Sequence, residues 1–318
     1  MKKRILFVDD DRNLLDAIRR KMRALGNDWE AVYLSDPAEA LDAIKRLGPA
    51  ALVTDWNMPG TDGIRLCRTV RDLNKDGESG YCYVILLTGE TETEKIVEAL
   101  ENGADDFVSK PFDTRELVAR IRAGARIVEL ENGLRAANKR LETLAFTDPL
   151  TGLFNRRKGM EVLENEMARA QRKKGALSAI MADVDHFKSV NDSRGHRAGD
   201  EVLREIARRL RQTVRKYDTL VRWGGEEVLV VCPDTGAREV ETVAERFRRA
   251  VASRPVEIEG QPALEVTASF GAATASDGDL AGVERLIERA DEALYRAKNS
   301  GRNCVKLEMG SGDENDSA

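Results

Sequence analysis

The chain has 318 residues and is poor in the residue types that build metal clusters and disulfides, with four cysteines and two histidines. None of the cysteines forms a CxxC pair, and the histidines cannot complete a zinc site with cysteines so widely spaced. The sequence therefore argues against a zinc cluster or a dithiol redox centre. We expect reduced, mostly buried cytosolic thiols at Cys67, Cys82, Cys232 and Cys304.

Long apolar runs and an excess of basic charge are also missing. The N-terminal MKKRILFVDDD has only four apolar residues before three aspartates, which is too short for a signal peptide or a membrane span. The net charge of −5 argues against a broad nucleic-acid surface. We therefore expect a cytoplasmic protein that binds neither membrane nor DNA. With 42% hydrophobic and 34% charged residues, this length suggests two domains.

Short apolar runs alternate with amphipathic stretches over residues 1–122. Between the runs, apolar residues such as Leu14, Ile18 and Met22 follow helical spacing. Five strand-then-helix units predict an α/β domain with a five-stranded, parallel, doubly wound sheet. The runs are 5–8, 31–34, 51–53, 83–87 and 107–108.

Polar residues follow the carboxyl ends of these predicted strands, where ligands bind in such folds. Converging carboxylates repel one another unless a hard cation lies between them, and a lysine and a threonine beside them would hold an anion carried by one acid. Each residue alone has a simpler explanation, such as a helix cap for Asp9 to Asp11 or a surface charge for Lys110. The combination favours a site. Its members are Asp9, Asp10, Asp55, Thr88 and Lys110.

This pattern resembles a response-regulator receiver domain, a flavodoxin-like fold, over residues 1–122. The resemblance implies that Asp55 is phosphorylated by a cognate histidine kinase. It implies that Asp9, Asp10 and the backbone of Asn57 hold Mg²⁺ or Mn²⁺. Thr88, Phe107 and Lys110 would be the switch residues that respond to the phosphoryl group. The bond before Pro111 is typically cis in this family, and Asp11 is left as a helix cap.

A helical linker is predicted over residues 123–146. Two apolar rows repeat every seven residues and are offset by three, which is the pattern of a coiled coil. Gly124 and Gly133 each weaken the helix by roughly 1 kcal/mol relative to alanine. Packing of the helix on its own domain is the alternative. We favour a parallel coiled coil in a homodimer. The rows are Ile127, Leu134, Leu141 and Leu130, Ala137, Leu144.

Residues 147–308 read as an α+β domain with a mainly antiparallel sheet in the order βααββαβ. A buried strand, 177–181, ends in Asp183-Val184-Asp185. Later, RWGGEEV predicts a glycine hairpin with Glu226 and Glu227 at its tip. If these strands are neighbours, Asp183 and Glu226 can share a divalent cation. Taken alone, the hairpin is an ordinary charged turn.

Other polar residues of this segment suit a nucleotide. Lys298 and Arg302 are four residues apart near the end of the last predicted helix and, with Lys188, suit a polyphosphate. Asn191 and Asp200 have the donor and acceptor groups that read a guanine edge. Helix-end charges and a helix-start acid are the simpler explanations.

Residues 147–308 closely resemble a GGDEF domain of the diguanylate cyclase family. The matching stretches are DPLTGLFNRR, DVDHFKSVND, GHRAGDEVL, RWGGEEV, SFGAA and ADEALYRAKNSGRN. The resemblance implies that Asp183, the Val184 carbonyl and Glu226 bind Mg²⁺ or Mn²⁺. It also makes Glu226 the candidate catalytic residue, as a base or as a metal-held activator of the attacking 3′-hydroxyl. It assigns GTP binding to Lys188, Asn191, His196, Asp200, Gly224, Gly225, Lys298 and Arg302.

An RxxD tetrapeptide, Arg215 to Asp218, is separated from Gly224 by five residues. RxxD alone is a weak signal, and a helix-end arginine is its simpler explanation. At this spacing it matches the family's inhibitory site, where Arg215 and Asp218 would bind the product cyclic di-GMP.

The sequence therefore predicts a phosphorylation-regulated, product-inhibited diguanylate cyclase. It would condense two GTP into cyclic di-GMP and two pyrophosphates as a homodimer joined through the coiled coil and the receiver. A catalytically weak GGDEF module that senses GTP or cyclic di-GMP is the alternative. A DNA-binding response regulator is disfavoured by the acidic charge. The polar residues 309–318 are expected to form a disordered acidic tail.

Overall fold

A computed structural model describes residues 2–22, 26, 28–60, 62–75, 80–89, 93–275 and 282–308. The chain divides into two units, Met1–Lys139 and Arg140–Ala318. The tail expected at 309–318 lies outside the described residues. In the part of the chain that the structure describes, no helix combines the length and apolarity needed to cross a membrane.

Alternating strands and helices build the first unit. Its parallel sheet has the strand order β2-β1-β3-β4-β5, which confirms the predicted doubly wound fold. Successive side chains of β1 enter different cores: Leu6 and Val8 pack on one face of the sheet, and Ile5 and Phe7 on the other. The elements are β1 (Lys3–Val8), α1 (Arg12–Lys21), β2 (Trp29–Leu34), α2 (Pro37–Leu47), β3 (Ala51–Asp55), α3 (Gly63–Lys75), β4 (Tyr83–Thr88), α4 (Thr93–Glu101), β5 (Asp106–Ser109) and α5 (Thr114–Phe146).

Helix α1 starts where the sequence predicts. The Asp11 carboxylate accepts hydrogen bonds from the backbone N–H groups of Asn13, at 2.8 Å, and Leu14, at 3.4 Å. Asp11 therefore caps the helix, and this use sets it apart from the neighbouring Asp9 and Asp10.

Helix α5 packs on the first unit along its N-terminal part, where buried residues extend from Leu117 to Val128. Gly124 has a packing reason: a Cβ there would lie 2.2 Å from the Tyr83 ring. Gly133 has no atom within 4 Å of the equivalent position. Helix α5 therefore continues to bury side chains after residue 122, as far as Val128.

The later part of α5 exposes the predicted apolar rows. Leu130 is 74% exposed and Leu144 is 79% exposed, and Leu134 and Leu141 are similarly open. These four leucines are not buried against their own unit, so the alternative considered above, packing of the helix on its own domain, does not hold for them. The helix is confirmed; its pairing in a coiled coil remains a prediction.

The second unit is an α+β domain around a six-stranded sheet with the order β13-β12-β7-β9-β8-β6. Its central pairs are antiparallel, as predicted, and the edge pairs β12–β13 and β6–β8 are parallel. The elements are β6 (Phe154–Asn155), α6 (Arg156–Lys173), β7 (Leu177–Val184), α7 (Phe187–Arg194), α8 (His196–Thr213), β8 (Thr219–Gly224), β9 (Glu227–Pro233), α9 (Ala237–Val251), β10 (Val256–Ile258), β11 (Gln261–Leu264), β12 (Ala268–Ala275), α10 (Val283–Asn299) and β13 (Val305–Leu307).

Several short strands were missing from the predicted order βααββαβ. Strands β6, β10, β11 and β13 contain only two to four residues. Such runs are too short to show the alternation that identifies a strand in sequence. Strands β10 and β11 form a separate hairpin outside the main sheet.

Candidate active site and phospho-acceptor site

The glycine hairpin joins β8 to β9. Gly225 has φ +47° in the left-handed region, whereas Gly224 is not among the residues with positive φ. A Cβ at Gly225 would meet no atom within 4 Å, so the turn leaves its backbone open to a ligand. Only one of the two glycines is therefore required by backbone conformation.

Arg222 stabilises this turn through hydrogen bonds to its backbone. Its Nε and Nη2 atoms donate to the Gly225 carbonyl at 3.0 and 2.8 Å. Its Nη1 atom donates to both carboxylate oxygens of Asp148, at 3.1 and 2.9 Å. Burial raises the pKa of Asp148, but hydrogen bonds from Thr151 and Arg222 outweigh it, so the pKa is lowered. The sequence analysis missed this pair, which ties the segment just after α5 to the hairpin tip.

Asp183 and the hairpin acids Glu226 and Glu227 lie at the same end of two central strands of the sheet. Strands β7 and β9 are antiparallel neighbours, and their register places Asp183 directly opposite Glu227. Glu226 occupies the turn just before β9. The predicted adjacency of the two strands is correct. The register also identifies Glu227 as a site residue that had no assigned role.

Lys298 lies against these acids. Its Nζ is 2.8 Å from Asp183 Oδ2. Burial raises the pKa of Asp183, and Glu226 and Asp185 raise it further, while Lys298 opposes them. Burial, Asp183 and Asp291 likewise raise the pKa of Glu227. Carboxylate oxygens are the ligands that a hard divalent cation prefers, so the residue types at this position suit Mg²⁺ or Mn²⁺.

Asp185 joins the end of β7 to the loop after α10. Its carboxylate accepts hydrogen bonds from the Thr267 and Ser269 hydroxyls, both at 2.6 Å, and from the Asn303 backbone at 3.0 Å. Helix α10 ends at Asn299, so Arg302 lies beyond it with φ +63°. The predicted helical spacing of Lys298 and Arg302 therefore does not apply, and the loop positions Arg302 instead.

The predicted guanine-reading pair lies where α7 meets α8. Asn191 is on α7, and Asp200 is in the second turn of α8; both side chains are partly exposed. The Asn191 carbonyl accepts from Gly195 at 2.9 Å and closes α7. Lys188 and His196 are exposed on the same two helices.

The RxxD segment forms the turn between α8 and β8. The Asp218 carboxylate accepts from the Arg215 backbone N–H at 3.2 Å, and the Arg215 side chain is exposed. Burial raises the pKa of Asp218, while Arg215 and Arg246 oppose this effect. Among the described residues, Arg246 Nε and Nη2 are buried without a hydrogen-bond partner. Sequence reasoning missed Arg246, because α9 has no motif that marks it.

In the first unit, the predicted receiver residues meet at the carboxyl edge of the sheet. Lys110 Nζ lies 2.8 Å from Asp55 Oδ1 and 2.9 Å from Asp9 Oδ2. One carboxylate oxygen from each of Asp9, Asp10 and Asp55 lies within 4.8 Å of the others. This group of acids also fits a hard divalent cation.

Burial and the charged hydrogen-bond partners have opposite effects on the pKa values of these side chains. Burial raises the pKa of Asp9 in spite of the Lys110 hydrogen bond. Burial lowers the pKa of Lys110, but hydrogen bonds to Asp55 and Asp9 outweigh it, so the pKa is raised and the lysine stays charged.

The remaining predicted receiver residues lie around this edge. Thr88 is buried at the end of β4, and its carbonyl accepts from the Lys110 backbone N–H. Phe107 is half-buried, Asn57 is exposed in the loop after β3, and the Lys110-Pro111 bond is cis.

Comparison with known proteins matches both units. Residues 145–304 match the family model "Diguanylate cyclase, GGDEF domain", and residues 5–122 match "Response regulator receiver domain". The chain is 38% identical over 305 residues to the response regulator PleD of Caulobacter vibrioides, covering 95% of this chain and 65% of PleD. It is 44% identical over 185 residues to the diguanylate cyclase DgcP of Pseudomonas aeruginosa, covering 57% of this chain and 27% of DgcP. The chain thus spans less than two thirds of either relative.

A solved structure agrees with the fold. The coiled coil and GGDEF domain of DgcB from Caulobacter crescentus, in complex with c-di-GMP, is 31% identical. It covers 60% of this chain and 98% of its own, with a TM-score of 0.53.

These findings establish the class of the protein. The chain belongs to the GGDEF family and carries a response-regulator receiver domain ahead of its GGDEF domain.

Proposed function

We propose that this protein is a diguanylate cyclase that condenses two GTP into cyclic di-GMP and two pyrophosphates. The observation that carries the proposal is the placement of Asp183 and Lys298, 2.8 Å apart, beside the Glu226-Glu227 tip. This arrangement offers oxygen ligands for a metal and a cation for phosphates next to an open glycine backbone.

Each side chain has a role in this proposal. Asp183, the Val184 carbonyl and Glu226 hold Mg²⁺ or Mn²⁺, and the register adds Glu227 to the same edge. When bound, the metal neutralises phosphate charge and lowers the pKa of the attacking hydroxyl. Lys188, Lys298, Arg302 and the Gly224-Gly225 backbone bind the phosphates. Asn191 and Asp200 read guanine, with His196 near the substrate.

The reaction is two successive phosphoryl transfers. The 3′-oxygen of one GTP forms a bond to the α-phosphorus of the other, while the bond from that phosphorus to the bridging oxygen breaks and pyrophosphate leaves. Glu226 accepts the hydroxyl proton. The same step in the opposite direction closes the ring.

One GGDEF domain binds one GTP, so catalysis requires two domains facing each other, as a twofold homodimer provides. The exposed rows on α5 support this requirement. Five large apolar side chains in the rows are at least 40% exposed, and burying a leucine contributes about 1.5–3 kcal/mol. We propose that they pair as a parallel coiled coil and that the receivers add to the dimer.

The receiver supplies the input in this scheme. A histidine kinase phosphorylates Asp55, with a divalent metal held by Asp9, Asp10 and the Asn57 backbone. Lys110 contacts both Asp55 and Asp9, so a phosphoryl group on Asp55 changes its partners. Thr88 and Phe107 transmit that change to the packing surface that controls the dimer.

Product inhibition completes the proposal. Arg215 and Asp218 bind cyclic di-GMP, and Arg246 joins them as a third residue. Support comes from its buried Nε and Nη2 atoms, which have no hydrogen-bond partner among the described residues, and from its electrostatic effect on Asp218. The phosphates and guanines of cyclic di-GMP offer acceptors for such donors.

The test is direct. Incubation with GTP and Mg²⁺, with and without beryllofluoride, should yield cyclic di-GMP identified by mass, with more product when beryllofluoride is present. If neither condition gives product while GTP still binds, the protein is a nucleotide-sensing module and the cyclase proposal is wrong.

A further inference from the structure

Gly199 lies in the first turn of α8 and is buried against Asn191. A Cβ on Gly199 would lie 2.0 Å from Asn191 Oδ1 and 3.1 Å from its Cγ. It would also lie 3.1 Å from Phe187 Cζ. The Asn191 side chain therefore occupies the space that any other residue at position 199 would fill.

Backbone conformation does not explain this glycine. Gly195, just before α8, has φ +85° and needs glycine for that reason. Gly199 has no positive φ and sits in regular helix, where glycine costs about 1 kcal/mol relative to alanine. The helix would be more stable with alanine, so the remaining reason for glycine is the space it leaves for the amide.

We propose that Gly199 is a positioning residue for guanine selection, a proposal that rests on the cyclase function above. The helix backbone at Gly199 and the Phe187 ring border the Asn191 side chain. They fix the position of this amide, which lies against α8 at Gly199, one residue before Asp200. An amide offers both donors and an acceptor, and a carboxylate accepts from the N1 and N2 groups of guanine, so their mutual placement selects this base.

A methyl group added at position 199 would displace the Asn191 amide without disrupting the fold. To restore a normal contact, Asn191 Oδ1 must move by about 1 Å, which is enough to misalign a hydrogen bond. The Phe187 ring, 3.1 Å from the added Cβ, must also move by a few tenths of an ångström. Both displaced groups belong to side chains, so the helix backbone is not forced apart. Gly199→Ala is therefore expected to weaken base recognition without lowering stability.

The experiment compares the full-length wild type with Gly199→Ala. Binding of a GTP analogue with a non-cleavable α–β bridge, and of its adenosine counterpart, is measured by calorimetry alongside turnover of GTP. We expect the Kd of the GTP analogue and the KM for GTP to rise about tenfold. Discrimination against the adenosine analogue should fall, kcat at saturating GTP should stay within about twofold, and the Tm should not fall.

Two further variants test whether Gly199 acts through the Asn191 side chain. In an Asn191→Ala background, adding Gly199→Ala should cause no further loss of affinity, because the displaced amide is already absent. Gly236→Ala is the matched glycine control: its Cβ would lie 3.8 Å from Glu239 Oε2, an ordinary contact, and it should leave nucleotide affinity unchanged.

Unchanged affinity and discrimination in Gly199→Ala would overturn the inference. So would a loss of equal size in the Asn191→Ala background, or a lower Tm and kcat with unchanged KM, which would indicate a purely structural role. If the wild type makes no cyclic di-GMP, the proposed function is wrong, and the binding comparison still decides the role of Gly199.

Discussion

The two units pair a lysine with an aspartate at the same distance but build different kinds of site. Lys110 Nζ lies 2.8 Å from Asp55 in the receiver, and Lys298 Nζ lies 2.8 Å from Asp183 in the GGDEF domain. In the receiver, the lysine also reaches Asp9, and acids and lysine all follow the carboxyl ends of parallel strands. That site is complete within one unit.

The GGDEF edge is assembled differently because its sheet is antiparallel. Asp183 comes from the end of β7, whereas Glu227 opposes it from the start of β9. In this antiparallel sheet, the end of one strand lies beside the turn of a hairpin. The site is therefore exposed to solvent at the turn, where Gly224 and Gly225 lie. Both sites are similarly accessible, with Asp55 9% and Asp183 8% exposed. They differ in origin: the receiver acids and lysine follow parallel strand ends of one unit, whereas the cyclase mechanism proposed above requires a second copy.

The largest expected effect comes from the half-site acids. Glu226→Ala should lower cyclic di-GMP formation by about 10³-fold or more, because it removes both a metal ligand and the proposed base. Product is measured by chromatography. Glu257→Ala, an exposed acid on β10, is the control and should keep wild-type rates. Retention of activity in Glu226→Ala would mean that the acid opposite Asp183, Glu227, is the catalytic one.

The second-largest effect is expected from variants that separate the two GGDEF domains of the proposed dimer. Leu134→Lys combined with Leu141→Lys places charges in the exposed row of α5 and should convert the dimer to a monomer. At low protein concentration the rate should fall about 10²-fold, since the facing domain loses its high local concentration. Light scattering and initial rates check this.

Ala136→Lys is the matched control for the dimer test, because position 136 is exposed on α5 outside both rows. A double-lysine variant that stays dimeric would show that the coiled coil is not the dimer contact.

The phospho-acceptor site of the receiver is tested with Asp55→Asn. We expect the wild type to be activated about tenfold by beryllofluoride and this variant to lose the response, because the phosphoryl mimic needs the carboxylate. Asp11→Asn keeps an equally good helix cap and should still respond. A wild type indifferent to beryllofluoride would remove the receiver from the control of the cyclase.

The product site should give an effect of similar or smaller size. Arg215→Ala and Arg246→Ala should each raise the concentration of cyclic di-GMP needed for half-inhibition about tenfold, because each removes charge-assisted hydrogen bonds. Arg249→Ala on the same helix is 75% exposed and should leave inhibition unchanged. Equal inhibition of all four proteins would place the product elsewhere.

The smallest effect distinguishes the two parts of α5. Gly133→Ala should stabilise the protein by about 1 kcal/mol through helix propensity. Gly124→Ala should destabilise it by about 1–3 kcal/mol, because the methyl group would meet the Tyr83 ring. Urea unfolding of the receiver unit measures both. The same sign for both would mean that Tyr83 moves aside at little cost.

Most of the fold was predictable because its signals are local. The apolar runs of the parallel sheet and the seven-residue repeat of α5 are visible in sequence, and each forms the predicted element. Strands of two to four residues, such as β6 and β13, were not predictable, since their pairing depends on distant partners. The helical i, i+4 relation between Lys298 and Arg302 was wrong, because α10 ends at Asn299 and Arg302 lies in the next loop, which Asp185 holds through Asn303.

The sequence by itself determined the residue types of both sites, because spaced motifs preserve the chemistry that phosphates, metals and guanine require. Only the tertiary structure decided which of these residues meet. Strand register placed Glu227 opposite Asp183, side-chain packing placed Arg222 behind the Gly225 turn, and the absence of a Cβ at Gly199 made room for Asn191. These contacts join residues far apart in sequence or depend on space of about one methyl group. Local sequence patterns predict neither the distance between such residues nor the volume around them.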